Sequence, residues 1–223
     1  MKRTLLVISL YLFSGYIFAQ EESFEKIDYK KIRKEIKKEK SAYYYPKLMV
    51  KYKKGDTLSI EEGRHLYYGF IYQDAYTPYS FSVYRDSITE IFKSKMLFRE
   101  DYRNILRFSD SILSRNPFNL RVLSYQLFAH DNLEDPGAYN AVMHKARSII
   151  DAILSSGNGL KKETAIYVIN PSHEYDILSV LGFEFGDQQS LIEHYDYLKL
   201  AKNEKNIEGL YFEISASLGG VKK

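Results

Sequence analysis

Apolar residues recur at helical spacing over most of the chain and change to alternating spacing near its end. The clearest helical stripe begins at Pro136, where apolar side chains recur every three or four residues as far as Ile153. Similar patterns predict a short helix from about Asp28 and further helices over 46–54, 60–73, 82–93, 99–114, 120–132 and 172–181. The segments 195–201 and 209–215 alternate with period two, and the β-branched run 165–169 predicts a further short strand. These patterns together predict an α+β fold that is mainly α, with a small C-terminal antiparallel sheet.

Residues with strong end preferences mark where several of these helices begin and stop. Ser59 with Glu62 three residues later forms the pattern of a capping box, and Gly55 is suited to end the preceding helix. Ser172 is predicted to cap the helix over 172–181, and Gly182 to stop it.

The chain divides by composition into four parts. Lys2 and Arg3 precede an apolar stretch of roughly 14 residues that ends before Ala19, a pattern typical of a secretory signal peptide over 1–19. The stretch is shorter than the roughly 20 residues that a membrane-spanning helix needs. We expect a helical body over 20–157, a small α+β tail over 158–218 that packs on the body, and disorder over 219–223.

Charge and cysteine content restrict the possible partners. Removing the predicted signal takes away two of the 32 basic residues and leaves 30 against 29 acids, so the formal net charge falls from +3 to +1. A near-neutral chain is not typical of nucleic-acid binding. The absence of cysteine excludes disulfides, thiolate metal sites and a lipid-modified cysteine. We therefore expect a periplasmic or secreted protein without a further membrane span.

Nine of the 21 tyrosines lie between Tyr43 and Tyr79, which makes this region the first place to look for a binding surface. On a helical wheel, one arc of the helix over 60–73 is apolar and includes Gly63, which would let a neighbouring helix approach closely. A second arc carries an acid, an imidazole and two phenols, namely Glu61, His65, Tyr68 and Tyr72.

Two interpretations of this second arc are open. Tyrosines can pack their rings in a core while their hydroxyls bind carbonyls, and Glu61 and His65 can form a pair one turn apart. Alternatively, the row forms a ligand surface for a peptide or a sugar ring. The first interpretation predicts that the row is buried.

The segment SHEYDIL, over 172–178, gathers the chain's other candidate groups, His173, Glu174 and Asp176. Position 177 is Ile, so the second histidine of a zinc-protease helix is missing and no metal site is expected. Glu174 and Asp176 would serve glycoside hydrolysis only across a cleft, and acids in the first turn of a helix are also favoured by its dipole. No serine-hydrolase elbow, phosphate loop or dinucleotide motif occurs, so we expect no cofactor.

Two resemblances add to these predictions. The span 99–154 resembles tetratricopeptide-type helical hairpins, with one helix ending in Asn116-Pro117 and small residues along the next two. The stretches YYYPKLMVKY, RHLYYGF, NPFNLRVLSY, ILSSGNGL, SHEYDIL and GLYFEIS occur in order along the chain. In these stretches the chain resembles the exported bacterial domain-of-unknown-function family 4919. The resemblance implies an exported single unit and no particular activity.

The function that these observations favour is a non-enzymatic interaction module that holds an unknown protein or peptide on a helical surface. One alternative is a periplasmic hydrolase that uses His173, Glu174 or His65. Another is a glycan-binding protein that uses Tyr68 and Tyr72. An enzyme should bring acids or histidines together in a deep pocket, whereas a protein-binding module should expose an apolar groove or patch.

Overall fold

The computed structural model describes residues 24–79 and 82–221. The predicted signal peptide lies outside these residues, as do Lys222 and Lys223 at the end of the predicted disordered tail. Two residues of the predicted tail contact the rest of the protein. The amide of Gly220 donates to the carbonyl of Ser215 at 2.8 Å, and Val221 packs against the main core.

Helices make up most of the described chain. In chain order they are α1 (Tyr29–Ile36), α2 (Tyr45–Lys54), α3 (Ile60–Gly69), α4 (Tyr84–Lys93), α5 (Arg99–Leu113), α6 (Leu120–Asn132), α7 (Pro136–Leu154) and α8 (Ser172–Val180). The strands are β1 (Ile166–Tyr167), β2 (Phe185–Ile192), β3 (Tyr195–Leu200) and β4 (Gly209–Glu213). The α+β, mainly α, prediction is confirmed.

Most predicted helix ends are confirmed by the contacts of their capping groups. Ser59 accepts from the amide of Glu62 while the Glu62 carboxylate accepts from the amide of Ser59, which completes the capping box of α3. Gly55 ends α2 with φ 77°, a conformation that side chains with a Cβ adopt at a cost.

The predicted cap of α8 is wrong by two residues. The side chain of Asn170, not of Ser172, accepts at the start of this helix, and it accepts from both the amide and the hydroxyl of Ser172 at 2.9 Å. Pro171 stands between them because proline suits a position where no amide hydrogen is needed. The predicted stop at Gly182 is confirmed by its φ of 77°.

The helix α3 lies at the centre of the helical body, in contact with α1, α2 and α7. Its close approach to α7 depends on Gly63, since a Cβ there would come within 2.9 Å of the carbonyl oxygen of Ser148. The sequence-based prediction for Gly63 is therefore confirmed. Ile60, predicted on the same apolar arc, is instead 55% exposed because it opens the first turn, at the end of the helix.

The helices α4 to α7 follow one another in space as they do in sequence, with α4 on α5, α5 on α6 and α6 on α7. A small apolar cluster of Ile88, Ile112 and Val122 holds α4 to α5 and α6. The main core is a separate cluster, which includes residues of α6 and α7 together with α1 to α3, α8 and the sheet. One continuous core thus joins the helices to the C-terminal strands.

The sheet is mixed, with strand order β1-β4-β3-β2. The predicted antiparallel pairing is confirmed for β3 with β4, but β1 pairs with β4 in parallel, so the prediction of an antiparallel sheet is wrong at that edge. The long hairpin partner β2 was not predicted. Its register with β3 shifts between Phe185 and Gln189, and Asp187 in that gap has φ 60°, so the strand does not keep a period of two.

The burial of Tyr68 makes a measurable prediction. We expect Tyr68→Ala to lower the free energy of unfolding by about 3–5 kcal/mol, because the removed ring is fully buried between α3 and its neighbours. Tyr72→Ala should cost less than about 2 kcal/mol, since its ring is half-buried. Urea denaturation followed by circular dichroism measures both.

A matched control for this pair is Tyr68→Phe. The substitution keeps the ring and removes only the hydroxyl, which donates to the carbonyl of Tyr167 at 3.0 Å, so the expected loss is about 1 kcal/mol. Equal and small losses for both alanine variants would contradict the placement of Tyr68 in the core.

Candidate functional site

The predicted row on α3 faces the protein interior along most of its length. Tyr68 is completely buried and His65 is 2% exposed, whereas Glu61 and Tyr72 are partly exposed. The hydroxyl of Tyr72 donates to the carbonyl of Tyr29 at 3.0 Å. The row therefore behaves as a packing surface between α1, α3 and the sheet, and a ligand would reach only its two ends.

His65 is held by its own helix and by a stacked ring. Its Nδ1 lies 2.8 Å from the carbonyl oxygen of Glu61, which only accepts, so Nδ1 carries the proton and donates. The ring of Tyr43 stacks on the imidazole at 3.9 Å between centroids. Burial lowers the pKa of His65 below its ordinary value. A neutral imidazole packed in this way serves the fold.

His173 on α8 has a buried partner from α3. The hydroxyl of Tyr67 lies 2.6 Å from Nδ1 of His173 and also accepts from the amide of Ile169 at 3.2 Å. A hydroxyl that accepts from an amide still has one hydrogen and a second lone pair, so it donates to Nδ1 in one imidazole tautomer and accepts from it in the other. Burial lowers the pKa of His173 to about 4, so this histidine is neutral at pH 7.

Glu174, the next residue, points to the sheet and contacts Asp196 of β3. Glu174 has no exposed surface and Asp196 is also buried. Burial first, and then the Asp196 carboxylate, raises the pKa of Glu174 to about 9. Glu174 is therefore a neutral acid at pH 7.

The following two residues of α8 reach two more elements. The hydroxyl of Tyr175 donates to the side-chain oxygen of Gln189 on β2 at 2.6 Å. Asp176 pairs with Arg121 of α6 at 3.2 Å. Burial raises the pKa of Asp176 to about 6, although Arg121 opposes the shift.

Four consecutive side chains of α8 thus connect it to four different elements: α3, β3, β2 and α6. The structure brings His173 to Tyr67, Glu174 to Asp196 and Asp176 to Arg121, and it does not direct His173 and Glu174 to a common partner. We name these four residues, His173 to Asp176, the α8 junction. Its contacts position the elements around α8, while both Glu174 oxygens and Oδ2 of Asp176 accept no hydrogen bond from the described residues.

The described residues form an apolar cavity of about 290 Å³. Its walls come from the chain after α3 and from the C-terminal segment, and they include Ile71, Tyr76 and Pro78 on one side and Ala216, Ser217 and Val221 on the other. The Tyr76 hydroxyl donates to the carbonyl of Ile169 at 2.7 Å, and the Ser217 hydroxyl donates to that of Ile214 at 2.9 Å. Both polar side chains thus have protein partners, and the wall presents an apolar surface.

Two exposed apolar residues are neighbours of these lining residues in the chain. Tyr79 follows the lining residue Pro78 and is 66% exposed, and Leu218 follows the lining residue Ser217 and is 47% exposed. We name the cavity together with these two residues the apolar cleft. Sequence reasoning missed it because its walls are about 140 residues apart in the chain; the only local signal was Tyr79, at the end of the tyrosine-rich region.

Residues 24–79 and 82–221 hold no group of three histidines or acids placed to bind a metal ion. No helix among the same residues is both long and apolar enough to span a membrane.

The fold and these sites describe an α+β protein with a helical body, a small mixed sheet and an apolar cleft. The profile of the family described as "Domain of unknown function (DUF4919)" matches residues 30–223, and the chain belongs to this family. No curated protein and no solved structure matches the chain. The tetratricopeptide resemblance of 99–154 therefore stays a prediction.

The α8 junction makes a prediction about stability. We expect Tyr67→Phe to lower the free energy of unfolding by about 2–4 kcal/mol, because it leaves both the Ile169 amide and His173 Nδ1 without their buried partner. The matched control is Tyr52→Phe, which removes a single hydrogen bond to the carbonyl of Pro117 and should cost about 1 kcal/mol. Chemical denaturation of both variants gives the comparison, and a smaller loss for Tyr67→Phe would contradict the bridging role.

Proposed function

We propose that the protein is an exported, non-enzymatic binding module that holds a polypeptide partner through the apolar cleft. The observation that carries this proposal is the apolar cavity of about 290 Å³ with the exposed side chains of Tyr79 and Leu218 beside it. Exposed apolar surface of this kind, next to a concave site, is typical of a surface that binds another molecule.

The size of the cavity favours an anchor side chain over a larger ligand. Sites for drug-sized molecules and cofactors start at roughly 300 Å³ and are lined by a few unpaired polar groups that orient the ligand. Here the hydroxyls of Tyr76 and Ser217 are already bound to protein carbonyls. One large apolar side chain of a partner, such as leucine or phenylalanine, matches both the volume and the wall.

Further apolar side chains near α4 would extend the contact. Val83, Met96 and Phe98 are each more than half exposed, at the two ends of this helix. Val83 lies only four residues beyond Tyr79 in the chain, so a partner seated in the cleft would be close to the start of α4. Single exposed apolar residues are ordinary, but this clustering between 79 and 98 supports a protein contact.

The placement of the candidate catalytic residues supports a role other than catalysis. His173 and Glu174 are at most 1% exposed, and each is engaged with another protein group. A substrate would reach them only if α8 separated from α3 and the sheet. His65, in a different part of α3, is likewise enclosed, against Tyr43.

Export is supported by the sequence of residues 1–19 alone. A basic start, an apolar stretch and a small residue at position 19 are the features of a cleaved secretory signal. The partner would then be met in the periplasm or outside the cell.

A photo-crosslinking amino acid placed at Leu218 tests this function. In the native envelope it should give a protein adduct of defined mass, whereas the same amino acid at Val50 should not, because Val50 is equally exposed but lies on α2. Mass spectrometry of the adduct identifies the partner.

The purified partner then allows a quantitative test. We expect Tyr79→Ser combined with Leu218→Ser to weaken its binding at least tenfold, since two contacting apolar side chains contribute about 1–2 kcal/mol each. The control pair Val50→Ser and Ile60→Ser removes exposed apolar surface elsewhere and should leave the Kd unchanged. Equal adducts at both positions, or an unchanged Kd for the cleft variant, would contradict the proposal.

A further inference from the structure

Two carboxyl groups meet inside the protein where α8 packs on the sheet. Glu174 comes from α8 and Asp196 from β3, and their carboxyl groups lie close to each other. Glu174 is completely buried and Asp196 is 5% exposed. Two ionised carboxylates at this distance and depth would repel each other strongly, because the protein interior screens charge poorly.

The hydrogen-bond partners of the pair require one proton. Gln189 of β2 donates its side-chain amide to Oδ2 of Asp196. Oδ1 of Asp196 and both oxygens of Glu174 have no donor among the described residues. A proton on Glu174 supplies the missing donor, because a protonated carboxyl donates one hydrogen bond and a carboxylate only accepts.

No charged group near the pair supplies the positive charge that would let both carboxyls ionise. On α8 itself, His173 is bound to Tyr67, the Tyr175 phenol donates to Gln189, and Asp176 is paired with Arg121 of α6. The neighbour on β2 is the neutral side chain of Gln189. In the described residues, no ion pair reaches either Glu174 or Asp196, so a second negative charge would have no counter-ion.

We propose that Glu174 and Asp196 share one proton that fastens α8 to the β2–β3 hairpin, and that loss of this proton at alkaline pH releases the hairpin from α8. The pair is then a pH-sensitive latch within the α8 junction. It is independent of the apolar cleft, which lies between the chain after α3 and the C-terminal segment.

The direction in which stability changes with pH follows from the pKa of Glu174 in the folded and unfolded states. The pKa of Glu174 is about 9 in the folded protein and 4.5 in the unfolded chain. Between these values the folded protein holds a proton that the unfolded chain has released, so stability falls as pH rises and levels off above about 9.

His173 and Asp176 titrate in a lower range. The pKa of His173 falls from 6.5 to about 4 on folding, so its protonation destabilises the fold as pH drops below 6.5. The pKa of Asp176 rises from 3.8 to about 6 on folding. Asp176 therefore makes the stability fall as pH rises, as Glu174 does, but only below about pH 6. The histidines of the unfolded chain are largely deprotonated above about pH 7.5, so the range from pH 7.5 to 8.5 isolates the shared proton.

The test is urea denaturation of the full chain at several pH values from 7.5 to 8.5. We expect the unfolding equilibrium constant of the wild type to rise about tenfold per pH unit, the dependence of one bound proton. Glu174→Gln should be nearly independent of pH in this range, because its amide still donates to Asp196 and carries no titrating proton. The control Glu184→Gln changes an exposed acid just before β2 and should keep the wild-type slope.

Infrared spectroscopy of the wild type tests the same proton without depending on any variant. The carbonyl stretch of a protonated carboxyl should be present at pH 7.5 and should disappear as pH passes about 9. Hydrogen exchange should then speed up in the amides of β2 and β3 beyond the intrinsic effect of pH, and not in those of α6 and α7. A protonated carboxyl absent at pH 7.5, or an unchanged slope in Glu174→Gln, would overturn the proposal.

Discussion

The arrangement of the whole protein depends on polar side chains of α8 that are removed from water. A buried polar group is costly unless it finds a partner, and the partners of His173, Glu174 and Tyr175 lie on three different elements. Apolar packing alone tolerates small shifts of one element over another, whereas a hydrogen bond weakens within a few tenths of an ångström. The four contacts of the α8 junction therefore fix where the helical body and the sheet meet.

Buried tyrosines also fix the relative positions of distant segments elsewhere in the core. The hydroxyls of Tyr52, Tyr68 and Tyr76 each donate to a backbone carbonyl more than sixty residues away in the chain. Each ring fills core volume while its hydroxyl satisfies a carbonyl that no helix or strand would satisfy. This double use explains why several tyrosines of the segment 43–79 pack in the core, and one of them, Tyr76, also lines the apolar cleft.

Local features could be predicted from the sequence, because capping and periodicity act within a few residues. The capping box of Ser59 and Glu62 and the stop at Gly55 are set by neighbours in the chain, whereas Gly63 indicates only that another helix can approach closely there. The parallel pairing of β1 and the bulged strand β2 could not be predicted in this way. The strand β1 has only two residues, too few to show a period. The bulge in β2 shifts the side chains that follow it to the other face of the sheet.

The candidate sites could be predicted even less well, because their geometry depends on contacts between segments that are distant in the chain. The segment SHEYDIL was singled out because it gathers candidate groups, but the sequence does not contain the distance from Glu174 to Asp196 or from His173 to Tyr67. Whether an acid and an imidazole face a substrate or a buried partner is decided by contacts between distant segments. The apolar cleft is likewise formed by segments from the two halves of the chain, each unremarkable alone.

The position of β4 also constrains the order of events during folding. This strand is the last in sequence, yet it lies inside the sheet, between β1 and β3. While the ribosome is still producing residues before 209, β1 has no neighbour in the sheet to hydrogen-bond with, and the second edge of β3 is unpaired. The sheet would thus stay incomplete until the segment over 209–213 has been made, because only this strand joins the other two.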